Sequence, residues 1–276
     1  MINYAADNAF AAFAEGFAGG TPQLVSRELV ADTQTPVSAY LRLAAGSRNT
    51  FLLESVEGGE IRGRFSVIGL SPDLIWRCRG SVAEINRDPA NSGEFSADSR
   101  APIDSLRALM AESAMADTGN LPPMSAGLFG YFGYDMIRHI EAIPDANPAV
   151  IDTPDSMLVR PSLIAIFDRL KDSITFVVQV RPAEWDEPQA AWSHAQDRIA
   201  AALDALDAPM PPTEAGESTA PLPDPRSNME QGDFLAMVDA AKDSFGPAIF
   251  SRWCSRNGSR SRFTCQRSIS IAAFGG

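Results

Sequence analysis

Apolar positions along the chain fall into blocks of helical period separated by blocks that alternate. Phe10, Phe13 and Phe17 recur at helical spacing ahead of Gly19-Gly20 and predict a short helix over 7–16. From 23 to 31 Leu24, Val25, Leu29 and Val30 stand among polar neighbours, as in a strand, and residues 37–43 predict a second helix that buries Tyr40, Leu41 and Leu43. The apolar run Phe51-Leu52-Leu53 leads through Glu54, Ser55 and a Gly58-Gly59 turn into an alternating stretch at 62–69, which predicts a β-hairpin. Further strands are expected at 74–79 and 81–86, then a polar surface loop at 87–100. An amphipathic helix follows at 102–114, its stripe formed by Ile103, Leu106, Leu109 and Met110. Strands at 157–166 and 173–180, joined by 168–172, predict a second, buried hairpin. Residues 187–206 predict an Ala-rich helix with the stripe Ala191, Ala195, Ile199, Ala202 and Leu206. Strands that come in hairpins rather than βαβ units predict an α+β fold, a largely antiparallel sheet packed with helices.

Between these blocks lies a glycine-aromatic stretch, 125–141, SAGLFGYFGYDMIRHIE. Gly127, Gly130 and Gly133 recur every third residue among Phe129, Tyr131, Phe132 and Tyr134. It lacks the Lys-Ser/Thr signature of a phosphate loop. The expectation is a strand whose glycines permit close backbone approach while the aromatics fill its other face. Asp135, Arg138 and Glu141 are expected on the exposed side of a helix beginning near Tyr134. Neither His139 nor His194 has a second histidine, a cysteine or paired carboxylates at ligand spacing, and both read as ordinary surface or core residues.

Composition narrows the function classes. The chain has 276 residues, 45% of them apolar, enough to fill a core. Its net charge of -12 and pI near 4.6 argue against nucleic-acid binding, which needs a basic footprint. Three cysteines, Cys78, Cys254 and Cys265, form an odd set without metal-ligand spacing, which suits a reducing compartment. The first twenty residues carry no basic segment or cleavage pattern, and Glu15 interrupts them; a cytoplasmic location with no membrane contact is the expectation. Six prolines within 208–226 mark a linker, after which 229–243 begins a new helix.

Beyond Asp243, the last acidic residue, the character changes: Arg252, Arg256, Arg260, Arg262 and Arg267 stand among serines without a sustained period. Back-translated with permitted codons and read in another frame, FGPAIFSRWCSRNG at 245–258 spells RAGDIFQVVLSQR, which continues the preceding helix sensibly. The expectation is a frameshift near Ser244 and a disordered tail, rather than a basic tail for an acidic partner.

Candidate chemistry sits at the first hairpin. Glu54 and Ser55 leave a strand that should be buried, and they need partners, either backbone amides or a ligand. FLLESVEGGEIRGRFSVIG, with TPVSAYLRL before it and GLFGYFGYDMIRHIE after it, resembles the amino-terminal region of anthranilate synthase component I over roughly 10–244. RAGDIFQVVLSQR is similar to the opening of that family's chorismate-binding domain. Aminodeoxychorismate synthase component I shares the architecture but resembles LLDS where this chain has LLES. A non-catalytic, tryptophan-binding regulatory module is the alternative from another class.

The resemblance implies a lyase of tryptophan biosynthesis that makes anthranilate from chorismate and ammonia. It implies Mg²⁺ as cofactor, a glutamine amidotransferase subunit (component II) as partner and tryptophan as feedback inhibitor. It places LLES on Leu52, Leu53, Glu54 and Ser55, where Ser55, with Glu54 beside it, borders the tryptophan site. A zwitterionic amino acid needs an acceptor for its ammonium and an apolar wall for its ring. The family's catalytic and Mg²⁺-binding residues belong to its carboxy-terminal domain, so no catalytic or metal residue is assigned and no cofactor is expected on this chain. The expected division is an amino-terminal domain at 1–207, a linker at 208–227, the start of the chorismate-binding domain at 228–244 and the tail at 245–276. One face is expected to be apolar and exposed, because in the family the two terminal segments pack into one sandwich.

Overall fold

Two long antiparallel strands, β3 (Phe65–Arg79) and β7 (Ser156–Asp168), form the spine of the computed structural model. It describes residues 4–54, 63–115, 118–143, 152–211, 226–227, 229–245 and 259–260. The other strands attach to this spine: β1 (Gln23–Val30), β2 (Phe51–Leu53), β4 (Val82–Asn86), β5 (Ser96–Ala97), β6 (Phe129–Phe132) and β8 (Ser173–Val180). The sheet runs β1-β8-β7-β3-β4-β5, with β2 on the first half of β3 and β6 on the first half of β7; every pair is antiparallel. The α+β expectation holds.

Helices α1 (Tyr4–Ala18), α2 (Pro36–Leu43) and α4 (Pro188–Asp207) cover one face of this sheet. The expected stripe of α4, Ala191, Ala195, Ile199, Ala202 and Leu206, is the set it buries. Those residues meet Val25, Ile68, Leu163, Phe176 and Val178 from the strands. Small alanines bring α4 close to the sheet, and Ile199 and Leu206 fill the space that remains. Thr35 starts α2 with a capping box, its Oγ1 accepting from the Ser38 amide at 3.1 Å while Ser38 Oγ accepts from the Thr35 amide. Helix α3 (Pro102–Ser113) packs Leu109 against Leu74, Trp76 and Leu158, and the indole of Trp76 donates to Ser105 Oγ at 3.0 Å. Residues 212–276 form a second compact unit, in which β9 (Arg226–Ser227) pairs with β10 (Ser259–Arg260) and α5 spans Gln231–Phe245.

Three expectations change. The strands read at 62–69 and 74–79 are one strand: β3 passes through a register shift between Pro72 and Leu74 instead of ending. Proline and a polar pair read as a stop locally, whereas the partner β7 runs through unbroken and keeps β3 in the sheet. Met110 of α3 is 58% exposed, because Ser105 and Ser113 take the buried positions beside Leu109. Of the aromatics in the glycine-aromatic stretch only Phe129 is buried; Tyr131, Phe132 and Tyr134 are exposed. The glycines do serve close approach: a Cβ at Gly130 would lie 1.9 Å from the Met157 carbonyl oxygen, and one at Gly133 would lie 2.5 Å from that of Asp155. After Gly133 the chain forms a 3₁₀ turn, Tyr134–His139. Asp135 and Glu141 face solvent as expected, while Arg138 is half-buried.

The Gly58-Gly59 turn, Ser55, Arg62, most of the proline-rich linker, Cys254, Cys265 and all of the tail except Phe245, which ends α5, and 259–260 lie outside the described residues.

Candidate functional site

One close contact sets strand β2 on β3. Phe51 lies opposite Gly69, and a Cβ there would sit 2.2 Å from the Phe51 ring. The ring rests on the glycine and meets Phe129 at a tilt of 31° with centroids 4.9 Å apart, joining β2 to β6 across the face opposite α4. Leu24, Leu121, Val67, Ile164 and Val177 complete this apolar patch. Glu54 is the residue at which the chain leaves the patch.

Its carboxylate has a partner on another turn of the sheet. Arg169, on the turn between β7 and β8, donates to Glu54 Oε1 at 3.0 Å. That turn is anchored to the start of β3, where Arg64 donates twice to Asp168, at 2.8 and 2.5 Å, and the Arg64 carbonyl accepts from the Arg169 amide at 3.0 Å. The Arg64 hydrogen bonds hold the Asp168 carboxyl below the usual range, against the opposing effect of burial, and the Leu170 amide adds a second donor. Next along this rim, Glu28 of β1 accepts from Ser173 Oγ at 2.9 Å and from Lys171 Nζ at 3.4 Å. A groove of about 550 Å³ opens beside them along β1, lined by Leu24, Ser26, Glu28, Thr118, Asn120 and Lys171.

The rim therefore offers carboxylates and cations beside an apolar patch, the donor set that a zwitterion with an aromatic side chain requires. Of the two residues read from sequence, Glu54 is placed here and Ser55 lies outside the described residues. Arg64, Asp168 and Arg169 were not singled out from sequence. Asp168 ends β7 and Arg169 begins the hairpin turn, and their partners lie 104 and 115 residues away.

A second, apolar hollow of about 400 Å³ lies between α3 and β6, lined by Leu106, Met110, Ala126, Leu128, Phe132 and Leu158. Near it Cys78 Sγ sits 3.5 Å from His139 Nε2, a pairing that sequence spacing did not show. Burial pushes the Cys78 thiol up to about 11, with the Asp155 charge adding to the effect, so it stays protonated and is no nucleophile. His194 packs on Trp185, with ring centroids 4.8 Å apart. Among the described residues no group of three or more His, Cys, Asp or Glu side chains is placed to hold a metal ion, and no helix is long and apolar enough to cross a membrane. The described residues do not fit a Mg²⁺ site.

No protein-family model matches the chain. It is 42% identical over 235 residues to anthranilate synthase component 1 of Cereibacter sphaeroides, a match covering 85% of this chain and 47% of that protein. Anthranilate synthase component 1 of Pseudomonas putida is 33% identical over 221 residues, covering 78% of this chain and 43% of that one. Among solved structures, anthranilate synthase component I from Streptococcus pneumoniae superposes with a TM-score of 0.54 at 23% identity. That superposition covers 80% of this chain and 45% of that chain. The chain spans about half the length of the curated relatives it matches.

Proposed function

We infer, from a chain that belongs to the anthranilate synthase component 1 family and matches about half of its relatives' length, that it represents the amino-terminal, regulatory region of such a component. The observation that carries this is the 42% identity over 235 residues. The activity proposed for the complete component is that of a lyase making anthranilate from chorismate and ammonia, in the cytoplasm. It would use Mg²⁺ and draw its ammonia from a glutamine amidotransferase subunit.

Within this region Glu54 and Ser55 border a feedback site for tryptophan. Glu54 supplies an ammonium acceptor already matched to a cation, Arg169, and Phe51 and Phe129 supply an apolar wall close by. The part of the pocket that completes the site, the catalytic groups and the Mg²⁺ ligands are assigned to the family's carboxy-terminal domain. The division at 207 and the out-of-frame origin of the tail belong to the same proposal. Resequencing the locus tests the latter, and an unshifted reading that still encodes the Arg/Ser tail would sink it.

The purified chain, given chorismate, Mg²⁺ and ammonium, is expected to show no anthranilate fluorescence; measurable turnover overturns the assignment of catalysis to the other half. Calorimetry with tryptophan is expected to show weak binding or none, because half the pocket is supplied elsewhere. Tight binding would mean that Glu54 and Ser55 suffice.

A further inference from the structure

At the β3 bulge the backbone departs from a regular strand. The register against β7 shifts between Pro72 and Leu74, and Ser71 adopts a φ of 46°, a conformation uncommon for serine. The distortion turns Asp73 toward two arginines, accepting from Arg160 Nε at 2.7 Å and from Arg181 Nη1 at 3.0 Å. Arg160 also donates to Glu112 at 3.1 Å, and Arg87 grips Glu112 through two bonds of 2.8 Å. From α4, Arg198 donates to Ser162 Oγ at 2.7 Å, and that hydroxyl donates to the Ser71 carbonyl.

The charges here do not balance. Arg87, Arg160, Arg181 and Arg198 face Asp73 and Glu112, with Glu184 acting on Arg181 only through space. Arg198 makes no ion pair among the described residues. The buried Arg181 has an Nε without a hydrogen-bond partner. Burial weakens the hold of both guanidinium groups on their protons, and the neighbouring Arg160 charge adds to this at Arg181. Arg181 gives its two Nη groups to Asp73 and to Gln179 Oε1, at 3.0 and 2.9 Å, which leaves its buried Nε as a donor without a partner, at a cost in free energy. The cluster is reachable: Ser71 is exposed, and Asp73, Ser162 and Arg198 are only half-buried.

We propose that the β3 bulge is an anion-binding site in which Arg181, Arg198 and Ser162 receive one oxyanion group, a phosphate or a carboxylate. Guanidinium groups match the planar edge of either group, and the serine hydroxyl adds a donor once Arg198 turns to the ligand. The site stands apart from the Glu54 rim and is independent of the function proposed above.

Thermal unfolding of the full chain in inorganic phosphate, at ionic strength held constant with chloride, is the test. Phosphate at concentrations above its Kd is expected to raise the Tm by about 3 °C for each tenfold increase. Malonate in place of phosphate distinguishes the sources: an equal rise assigns the site to carboxylates as well, and a rise with phosphate alone assigns it to the tetrahedral oxyanion. Arg198→Met keeps the aliphatic stem and is expected to abolish the increment. If that variant does not fold, Ser162→Ala replaces it, with the increment expected to fall. No response beyond chloride, or an increment unchanged in the variant, overturns the proposal.

Discussion

The face of the sheet beneath α4 and the bulge of β3 lie in one unit and share strand β7, yet different forces hold them. Under α4 the contacts are apolar and continuous, and Ile68, Ala165, Phe176 and Ile199 are all essentially inaccessible to water. At the bulge a strained backbone is held by Asp73 between Arg160 and Arg181. Apolar contacts are non-directional and carry no charge, so the first region ignores pH. Charged contacts are directional, and removing one partner strands the others.

The largest effect is expected in the apolar region. Ile199→Ala removes buried methyl groups where the backbones of α4 and the sheet cannot collapse, at a cost of about 3 kcal/mol in urea unfolding. The same deficit at pH 7 and pH 5 marks it as apolar; a deficit that changed with pH would blur the contrast. Asp73→Ala follows at about 2 kcal/mol, below the usual figure for breaking a buried pair because Asp73 keeps 27% of its side chain exposed. The stranded Arg160 and Arg181 should make this loss responsive to added anions, as Ile199→Ala should not be. Equal anion responses in the two variants would break the distinction.

This contrast also explains what the sequence made legible. The stripe of α4 could be read residue by residue because a helix writes its buried face locally, at intervals of three and four. The β7–β8 hairpin was equally local. The bulge was not: Asp73 meets Arg160 and Arg181 across 87 and 108 residues, and no spacing rule links an aspartate to an arginine so distant. Pro72 looked like an end to β3 because its effect on the strand depends on β7, which a local pattern cannot see. Met110 followed the helical period but faces outward, because α3 turns serines toward Trp76 and Arg160. At the candidate site the strand end at Glu54 was legible, and its partner Arg169 was hidden by the same distance effect.

Acid sharpens the comparison at an intermediate magnitude. Glu112 is held at about 2, against 4.5 for an ordinary glutamate, chiefly by its hydrogen bonds with Arg87. A carboxyl depressed in the folded state stabilises that state fully above its unfolded value and loses the contribution as pH falls through its folded value. Wild type should therefore exceed Glu112→Gln in stability at pH 7, with the difference vanishing between about pH 4.5 and 2. A side chain 39% exposed is screened by solvent, which limits the difference to about 1 kcal/mol. Urea unfolding of both proteins at pH 7, 5 and 3 provides the reading, and a difference that grew toward acid would reverse the sign of the argument.

The smallest effect is expected where the rim carries two ion pairs on one turn. Arg64 closes on Asp168, whose side chain is only 5% exposed, and Arg169 reaches Glu54 with exposures of 48% and 30%. Water competes for the second pair and the long arginine loses rotamer freedom to make it, so Arg169→Ala should cost no more than about 0.5 kcal/mol. Arg64→Ala leaves the carboxylate of Asp168 in a buried setting with only backbone donors, and should cost several times as much. The ratio is the informative quantity, since both arginines sit at the same end of the sheet and differ in how deeply their partners are buried. Were Arg169→Ala as costly as Arg64→Ala, the Glu54 pair would be a structural clasp, with its carboxylate too firmly committed to release to an incoming ammonium group. A small loss for Arg169 beside a large one for Arg64 leaves the turn rigid and the Glu54 carboxylate free to change partners, as a ligand-binding rim requires.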